Sequence, residues 1–525
     1  MSKKLLKSGA IVSSMTLVSR VLGLIRDMVV ANLLGAGTAA DVFFFANRIP
    51  NFLRRLFAEG AFAQAFIPVF TQYKQQENED ELRELVARVS GTLGCIVTVV
   101  TIIGMVASPV VAMIFGAGWF IDWLHDGPNA DKFILSSLLL KITFPYLWFI
   151  TFTGMSGAIL NSFGRFAVAS FTPVFLNAAM IAAALYYAPS LARPEVGLAW
   201  GVFVGGLLQF SFQLPFLWRL NMLRWPRWGW KHPGVQKIRT LMLPALFGVS
   251  VSQINLLFDT FMASFLVSGS ISWLYYSDRL LEFPLGIFGI AIATVILPSL
   301  SERHVDKDPR EFRQTMDWAV RMVGLLGIPA MAGMIVLATP MLRVLFMRGA
   351  FDSSDVLHAS HSLIAFSCGL IFFMLIKIFA PGYYARQDTR TPVRYGIIAM
   401  ISNIVLNGVF VLPFGYIGMA MATAISALLN ATLLYRGLVK GNIYRISRYS
   451  WLFLARVFAS TLLMAGVLCV LLPSWSQWLS FDFLHSLRLL LESIIGAIVL
   501  YGVSLVALGG RLEHLKSSSG AVSDD

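Results

Sequence analysis

Long apolar stretches recur along this 525-residue sequence, and they constrain its fold more than any other feature. Each holds about 20 residues, enough for a helix to cross roughly 30 Å of hydrocarbon. Most are continuously apolar and lack the alternation of an outer-membrane β-barrel, so the pattern predicts helices. The candidate spans number about fourteen, and they lie near residues 9–33, 40–72, 89–116, 133–159, 167–188, 196–218, 238–266, 272–300, 316–342, 355–384, 393–413, 416–437, 451–473 and 484–509.

The composition agrees with a chain that lies mostly in lipid. Hydrophobic residues make up 57% of the sequence and charged residues only 13%, whereas a water-soluble chain of this length needs far more charged surface. The predicted fold is therefore an all-α polytopic membrane protein with about fourteen transmembrane helices. The stretch near residues 40–72 is too long for one straight crossing, and Pro50, Gly60 and Pro68 predict a bent or broken element there.

The three cysteines, Cys95, Cys368 and Cys469, all fall inside predicted spans. Their placement argues against a disulfide framework or a zinc site. It predicts instead that they are small buried hydrophobic side chains. We expect no cofactor.

The basic residues predict the orientation of the chain in the membrane. If the N-terminus lies inside, most lysines and arginines fall in inner loops, and the outer segments hold little beyond Lys132, Arg193, Arg343 and Arg348. That asymmetry is the positive-inside pattern. An even number of spans then places both termini in the cytoplasm. Because the charge is spread over short loops without a soluble aromatic-rich module, we do not expect nucleic-acid binding.

Two segments about 230 residues apart resemble each other. The first reads ANLLGAGTAADVFFFANRIPN from Ala31, and the second reads ASFLVSGSISWLYYSDRLLEF from Ala263. Six spans lie between them, so both copies insert in the same orientation and predict two six-helix lobes around a central cavity. Chance similarity between apolar segments is the alternative. The predicted organisation is an N-terminal lobe at 1–220, a C-terminal lobe at 221–440, a C-terminal helix pair at 441–510 and a cytoplasmic tail at 511–525.

Arginines are unusually frequent within or beside the spans of the two copies. An arginine at the bilayer centre costs at least about 2.5–3.5 kcal/mol, so such residues usually face a bundle interior or water. Near the end of a span, an arginine can instead extend to the interface. Guanidinium groups bind phosphate through paired hydrogen bonds and keep their charge. The cluster therefore favours an anionic substrate with phosphate or pyrophosphate, and it comprises Arg20, Arg26, Arg48, Arg54, Arg55 and Arg279.

The spacing of these arginines restricts how they can act together. Arg54 and Arg55 both flank Asn51 on one polar side of a helix. Arg20 and Arg26 are six residues apart, about 240° around a regular helix, so they cannot share a face unless the helix breaks at Gly23. An alternative role is a structural gate or lock, in which the arginines pair with nearby carboxylates, namely Asp27, Asp41, Glu59, Asp278 and Glu282.

A second group of polar residues lies in later spans. Asp259 falls in the seventh span, Asn403 and Asn407 are four residues apart in the eleventh, and Thr423 falls in the twelfth. A carboxylate with amide and hydroxyl oxygens suits a monovalent cation, and Asp259 alone suits a proton carrier. Ordinary hydrogen bonding between helices is the alternative.

Several motifs together resemble one known family. They are SRVLGLIRD at 19–27, PNFLRRLFAEGAF at 50–62, KITFPY at 141–146, YYSDRLLEFPLG at 275–286 and APGYYARQDTRTPV at 380–393. They resemble the MurJ/MviN family of the multidrug/oligosaccharidyl-lipid/polysaccharide exporter superfamily. The resemblance covers essentially the whole chain.

The resemblance implies a flippase that moves lipid II, the undecaprenyl-pyrophosphate-linked peptidoglycan precursor, across the bacterial inner membrane by alternating access. It implies fourteen helices, with a hydrophobic groove for the prenyl tail at the last two. By motif, the cavity arginines are Arg20, Arg26, Arg54 and Arg279, with Asp41, Asn51, Ser272 and Glu282 nearby. Some relatives have a cation site in the C-terminal lobe, for which Asp259, Asn403, Asn407 and Thr423 have suitable chemistry.

Beyond lipid II and membrane lipids, we expect a monomer that works with cell-wall synthesis proteins. Membrane potential, sodium and protons are alternative sources of coupling energy. The alternatives to this function are a flippase for another polyprenyl-pyrophosphate-linked oligosaccharide, a drug exporter, a membrane glycosyltransferase and a non-transporting scaffold. An enzyme is disfavoured because the sequence lacks a phosphate-binding G-x-x-x-x-G-K-[ST] loop and any outer loop large enough for a catalytic domain.

Overall fold

Every regular element that the computed structural model describes, in residues 3–55, 61–289 and 309–511, is a helix. Ten helical stretches in those residues are long and apolar enough to cross a membrane. The predicted all-α polytopic membrane fold is confirmed, while the count of fourteen spans stays a prediction. Glu59, Gly60 and the tail from residue 512 lie outside the described residues, as does Pro298, which the similarity of the two segments places opposite Pro68.

The described residues of the first half of the chain form thirteen α-helices. Their bounds are α1 Lys3–Leu34, α2 Thr38–Arg54, α3 Ala61–Gln75, α4 Glu79–Val106, α5 Ser108–Phe115, α6 Ala117–Leu124, α7 Ala130–Thr143, α8 Pro145–Ser162, α9 Phe166–Phe171, α10 Pro173–Ala182, α11 Pro194–Arg219, α12 Pro233–Ala263 and α13 Ser270–Pro284. Several begin at a proline, which has no N–H to leave unpaired in the first turn. A π-helical turn at Ala183–Tyr187 follows α10, and another at Leu285–Gly289 follows α13.

The second half forms nine described α-helices. They are α14 Pro309–Val336, α15 Ala338–Phe346, α16 Ser353–Ser367, α17 Leu370–Tyr384, α18 Arg390–Phe414, α19 Tyr416–Lys440, α20 Arg448–Leu471, α21 Trp475–Ser480 and α22 Phe483–Ala507. Of the predicted long element near 40–72, the structure describes α2, which contains Pro50, and α3, which contains Pro68; residues 56–60 between them lie outside the described residues. Helix α1, by contrast, runs through Gly23 without a break, so the proposed break at that glycine is wrong.

The chain divides into two compact units. The N-terminal unit comprises residues 1–272 with 348–351, and the C-terminal unit comprises 273–347 with 352–525. We predicted a boundary after residue 220, whereas the N-terminal unit extends to residue 272. The physical reason is that α12 packs along α3, which adds α12 to the N-terminal bundle.

The core of the N-terminal unit is built mainly from α3, α4 and α8. Phe62, Phe66 and Phe70 follow one face of α3 and are nearly fully buried. The Phe62 and Phe66 rings stack with centroids 5.1 Å apart. This apolar cluster holds together the end of the unit from which the strongly basic 219–239 region emerges.

The C-terminal unit contains the last two long helices, α20 and α22, which pack against each other. Arg456 on α20 donates from Nη1 to the Gly509 carbonyl at 3.0 Å. Helix α20 also packs along α14, and α22 packs on α15. Arg343 of α15 is buried and donates to the Ser486 hydroxyl and, at 2.7 Å, to the Phe481 carbonyl. The Arg456 bond therefore joins the two helices of the pair, and the Arg343 bonds fix α22 to α15.

Large apolar side chains cover the outer surfaces of many helices. Leu412 is 87% exposed and Val470 is 84% exposed, as expected for helices whose apolar faces meet lipid. The three cysteines are also exposed, so the prediction that they are buried is wrong. In a membrane helix an apolar position faces either protein or lipid, and hydropathy does not distinguish the two.

Candidate functional site

The Asp41 carboxylate lies at the centre of a buried polar cluster in the N-terminal unit. Only 1% of Asp41 is exposed. Its Oδ1 accepts hydrogen bonds from the Ser272 N–H at 3.0 Å and the Ser272 hydroxyl at 2.7 Å, and its Oδ2 accepts from the Gly269 N–H at 2.7 Å. Asp41 and Ser272, two of the predicted site residues, are therefore directly bonded. The cluster joins the start of α2 to the start of α13.

Lys132 completes this cluster, and sequence reasoning missed it. Its Nζ lies 3.1 Å from Asp41 Oδ2, and the ammonium also lies over the Trp119 ring. The positive-inside pattern predicts an outer segment for Lys132 but no partner, whereas only 1% of this residue is exposed. The available signal was its place at the start of an apolar run, where a lone lysine needs an acidic partner.

Arg26 of α1 belongs to a second polar network. Its guanidinium contacts Asp27 Oδ1 at 2.6 Å and donates from Nη1 to Asn177 Oδ1 at 3.0 Å. Asn177 of α10 in turn donates to the Ser19 carbonyl at 3.1 Å. Asp27 was among the predicted pairing carboxylates. Asn177 was missed, although a single amide within the apolar PVFLNAAMIA run is itself a signal.

Arg20 also lies on α1, about one and two-thirds turns before Arg26. It is half-buried, and among the described residues it has no hydrogen-bond or ion-pair partner. Because α1 is unbroken, Arg20 and Arg26 point in different directions. Within the described part of the chain, Arg26 is held in its own network, whereas Arg20 is not held by any partner.

On α2, Asn51 orients Arg54. Arg54 Nε donates to Asn51 Oδ1 at 3.2 Å, while Asn51 Nδ2 donates to the Asn47 carbonyl at 2.8 Å. Two neighbouring arginines bond to α12 instead. Arg48 donates to the Thr260 hydroxyl at 3.2 Å, and Arg55 contacts Gln253, which also lies on α12.

Arg279 and Glu282 are paired in the C-terminal unit. Arg279 Nη1 lies 2.8 Å from Glu282 Oε2, one turn away on α13. The side chains remain 27% and 45% exposed, so the pair is accessible and is not locked in the core. Of the predicted substrate-binding residues, the N-terminal unit holds Arg20, Arg26, Asp41, Asn51, Arg54 and Ser272, and the C-terminal unit holds Arg279 and Glu282.

Three of the four predicted cation-site residues form a short chain of hydrogen bonds. Asn407 Nδ2 donates to Asn403 Oδ1 at 3.2 Å, and Asn403 Nδ2 approaches the Thr423 hydroxyl at 3.4 Å. Both asparagines are buried. Asp259 lies on α12 in the N-terminal unit. Within the described residues, no group of three or more His, Cys, Asp or Glu side chains has the arrangement of a metal site.

Comparisons with known proteins identify the family to which these features belong. A family model described as lipid II flippase MurJ matches residues 30–488. A probable lipid II flippase MurJ of Vibrio cholerae is 64% identical over 519 residues, which cover 99% of each chain. The chain belongs to the MurJ family.

Other MurJ relatives extend this similarity. A probable lipid II flippase MurJ of Haemophilus influenzae is 59% identical over 507 residues, covering 95% of this chain and 99% of the relative. A solved structure of lipid II flippase MurJ in an inward closed conformation has a TM-score of 0.78 and 27% identity, covering 94% of this chain and 98% of that one. An inward-facing transporter of the multidrug resistance MATE family, at TM-score 0.66 and 11% identity, shares the fold alone.

Proposed function

We propose that this protein is a lipid II flippase, a transporter and not an enzyme, which moves the lipid-linked peptidoglycan precursor from the cytoplasmic to the periplasmic leaflet. The observation that carries the proposal is the MurJ family match over nearly the whole chain, with 64% identity to a probable lipid II flippase. The protein then lies in the bacterial inner membrane with both termini in the cytoplasm. It acts as a monomer that supplies precursor to cell-wall synthesis proteins and so supports cell shape.

The arginines supply the chemistry for the pyrophosphate. We propose that Arg20, Arg26, Arg54 and Arg279 bind it, since guanidinium forks pair with phosphate oxygens. Support comes from Arg20, which has no partner among the described residues, and from the Arg279 side chain, which is partly exposed beside Glu282. The prenyl tail stays in lipid, along the groove at α20 and α22.

Alternating access explains how one site serves both leaflets. Carrying net negative charge outward is favoured by an inside-negative potential, by about 2.3 kcal/mol per charge per 100 mV. The potential therefore drives the step directly, or a sodium ion or proton at Asp259 resets the protein. The amide and hydroxyl oxygens of Asn403, Asn407 and Thr423 are the alternative cation ligands.

Complementation of flippase-depleted cells tests the arginines. We expect Arg26→Ala, Arg54→Ala and Arg279→Ala to abolish growth at normal protein levels, and lysine at the same positions to rescue poorly because it lacks the planar fork. Arg165→Ala is the matched control, because Arg165 is an exposed loop arginine. Full activity of all three alanine variants would remove the pyrophosphate role.

Reconstitution tests the transport activity itself. Liposomes that contain only this protein and lipid II should show movement of the headgroup between leaflets, whereas another polyprenyl-pyrophosphate-linked oligosaccharide should move far more slowly. Asp259→Asn should remove any dependence on sodium or pH and leave basal movement intact. An unchanged ion response in that variant would eliminate the coupling role of Asp259 without affecting the transport proposal.

A further inference from the structure

An extended segment at residues 221–232, here called the strap, connects α11 to α12 and crosses the first half of α4. It is fixed there by hydrogen bonds. The Arg227 N–H donates to the Ala87 carbonyl at 2.8 Å, and the Gly229 N–H donates to the Thr92 hydroxyl at 3.0 Å. A connecting loop with no regular structure is thus held in one path.

The close approach of the strap depends on a glycine in α4. A methyl group at Gly91 would overlap the Arg227 backbone, so only glycine lets the two backbones meet here. Arg88 adds a further bond, from Nη1 to the Trp228 carbonyl at 2.7 Å.

The strap presents aromatic side chains outward. Trp225 is 85% exposed and Trp228 is 54% exposed, and the Trp228 ring stacks on Trp230 with centroids 5.9 Å apart. Indoles held at the surface of a membrane protein, beside basic residues, are typical of the boundary between hydrocarbon and headgroups. The fixed strap therefore marks this end of the N-terminal unit as an interfacial surface.

Behind the strap lies a cavity of about 370 Å³. Its walls come from α4, α8 and α11, and they are mainly apolar, with Phe152, Met155, Phe210 and Leu214 among them. Ser156 also lines it; only 2% of this residue is exposed, and its hydroxyl has no hydrogen-bond partner in the described part of the chain.

Arg224 of the strap also lines this cavity, and the residue itself is exposed. Its guanidinium has no hydrogen-bond or ion-pair partner in residues 3–55, 61–289 and 309–511. The Glu84 carboxylate already forms ion pairs with two other arginines, with Arg88 at 2.6 Å and with Arg227 at 3.7 Å. The lining of a mainly apolar cavity therefore includes a cation that has no partner among the described residues.

We propose that this cavity is a binding site for an anionic phospholipid, with part of one acyl chain inside and the phosphate on Arg224. The apolar walls select a lipid over free phosphate, and the cation selects an anionic headgroup over a zwitterionic one. The exposed indoles of Trp225 and Trp228 lie at the level of the glycerol backbone. The site uses none of the arginines of α1, α2 and α13, so it does not depend on the transport proposal.

Native mass spectrometry of the full-length protein in detergent tests this site with two probes, dioleoylphosphatidylglycerol and dioleoylphosphatidylcholine. We expect one tight phosphatidylglycerol adduct that Arg224→Gln weakens about tenfold, since a charge-assisted hydrogen bond contributes about that factor. Phosphatidylcholine should bind weakly and equally to both proteins. The matched control is Arg193→Gln, because Arg193 is an exposed arginine at the opposite end of α11.

Further measurements test the acyl-chain cavity and the headgroup contact separately. Ser156→Leu should fill the cavity and weaken the same adduct, and Arg224→Gln still decides the question if that variant folds poorly. The headgroup alone, glycerophosphoglycerol, should not compete. Equal phosphatidylglycerol binding by the wild type and Arg224→Gln, or an equal loss in Arg193→Gln, would overturn the site. Loss of lipid II binding alone in Arg224→Gln would assign the cavity to the transported lipid and likewise overturn it.

Discussion

The buried Asp41–Lys132 pair allows a quantitative test of how the N-terminal unit is held together. The pair is 1% exposed at both residues, and the carboxylate also accepts three hydrogen bonds from Gly269 and Ser272. Asp41→Asn removes the negative charge and leaves the Lys132 ammonium buried without its counter-ion. Such a loss typically costs about 3–5 kcal/mol. We expect a destabilisation of that size.

Removing the lysine instead of the aspartate should lower the free energy of unfolding by less. Lys132→Met removes one donor, but Asp41 keeps its three others, so we expect a loss of about 1.5–3 kcal/mol, the range for one hydrogen bond to a charged group. The double variant should be more stable than the sum of the single losses implies, because neither charge is then left alone. The free energy of unfolding is measured in mixed detergent and dodecyl sulfate by tryptophan fluorescence.

Asp131→Asn is the matched control for this cycle. Asp131 lies next to Lys132 in the first turn of α7 and is exposed, so its substitution should change the unfolding free energy by less than about 0.5 kcal/mol. If Asp41→Asn is no worse than Asp131→Asn, or if the double variant equals the sum of the single variants, the pair does not hold α2 and α7 together.

Gly91→Ala should lower stability by about 1–3 kcal/mol, because the added methyl displaces the Arg227 backbone. Gly408→Ala, at a helical position with open space, is the control. Equal thermal midpoints of these two variants would contradict the close packing of the strap on α4. Burial lowers the pKa of His232, which accepts a backbone hydrogen bond at the start of α12. The unfolded chain therefore binds this proton more readily, so stability should fall as the pH drops below about 6.5. His232→Asn, which keeps an acceptor there, should flatten that dependence in thermal melts, and an unchanged slope would exclude His232. Arg343→Met should increase hydrogen exchange across residues 474–486 by removing two hydrogen bonds; unchanged exchange would show that Arg343 does not fix this segment.

Some of the site was predictable because it depends on local spacing. Arg54 with Asn51, and Arg279 with Glu282, are three residues apart on one helix, and residues at that separation are neighbours on any helix surface. The separation of Arg20 and Arg26 on α1 likewise followed from helix geometry. The fold class required only the length and polarity of the spans, because the bilayer admits few ways to satisfy the backbone.

The tertiary structure decided which distant groups meet and which apolar faces are covered. Asp41, Lys132 and Ser272 come from three separate parts of the chain, and no spacing rule brings them together. Hydropathy placed the cysteines in membrane spans but did not reveal their exposure, because lipid and protein interior are equally apolar. The sequence alone determined the all-helical membrane fold and the arginine pattern, since both follow from short-range rules and the bilayer. The partners of those charges, the strap on α4 and the cavity behind it depended on packing between helices, which a single sequence does not specify.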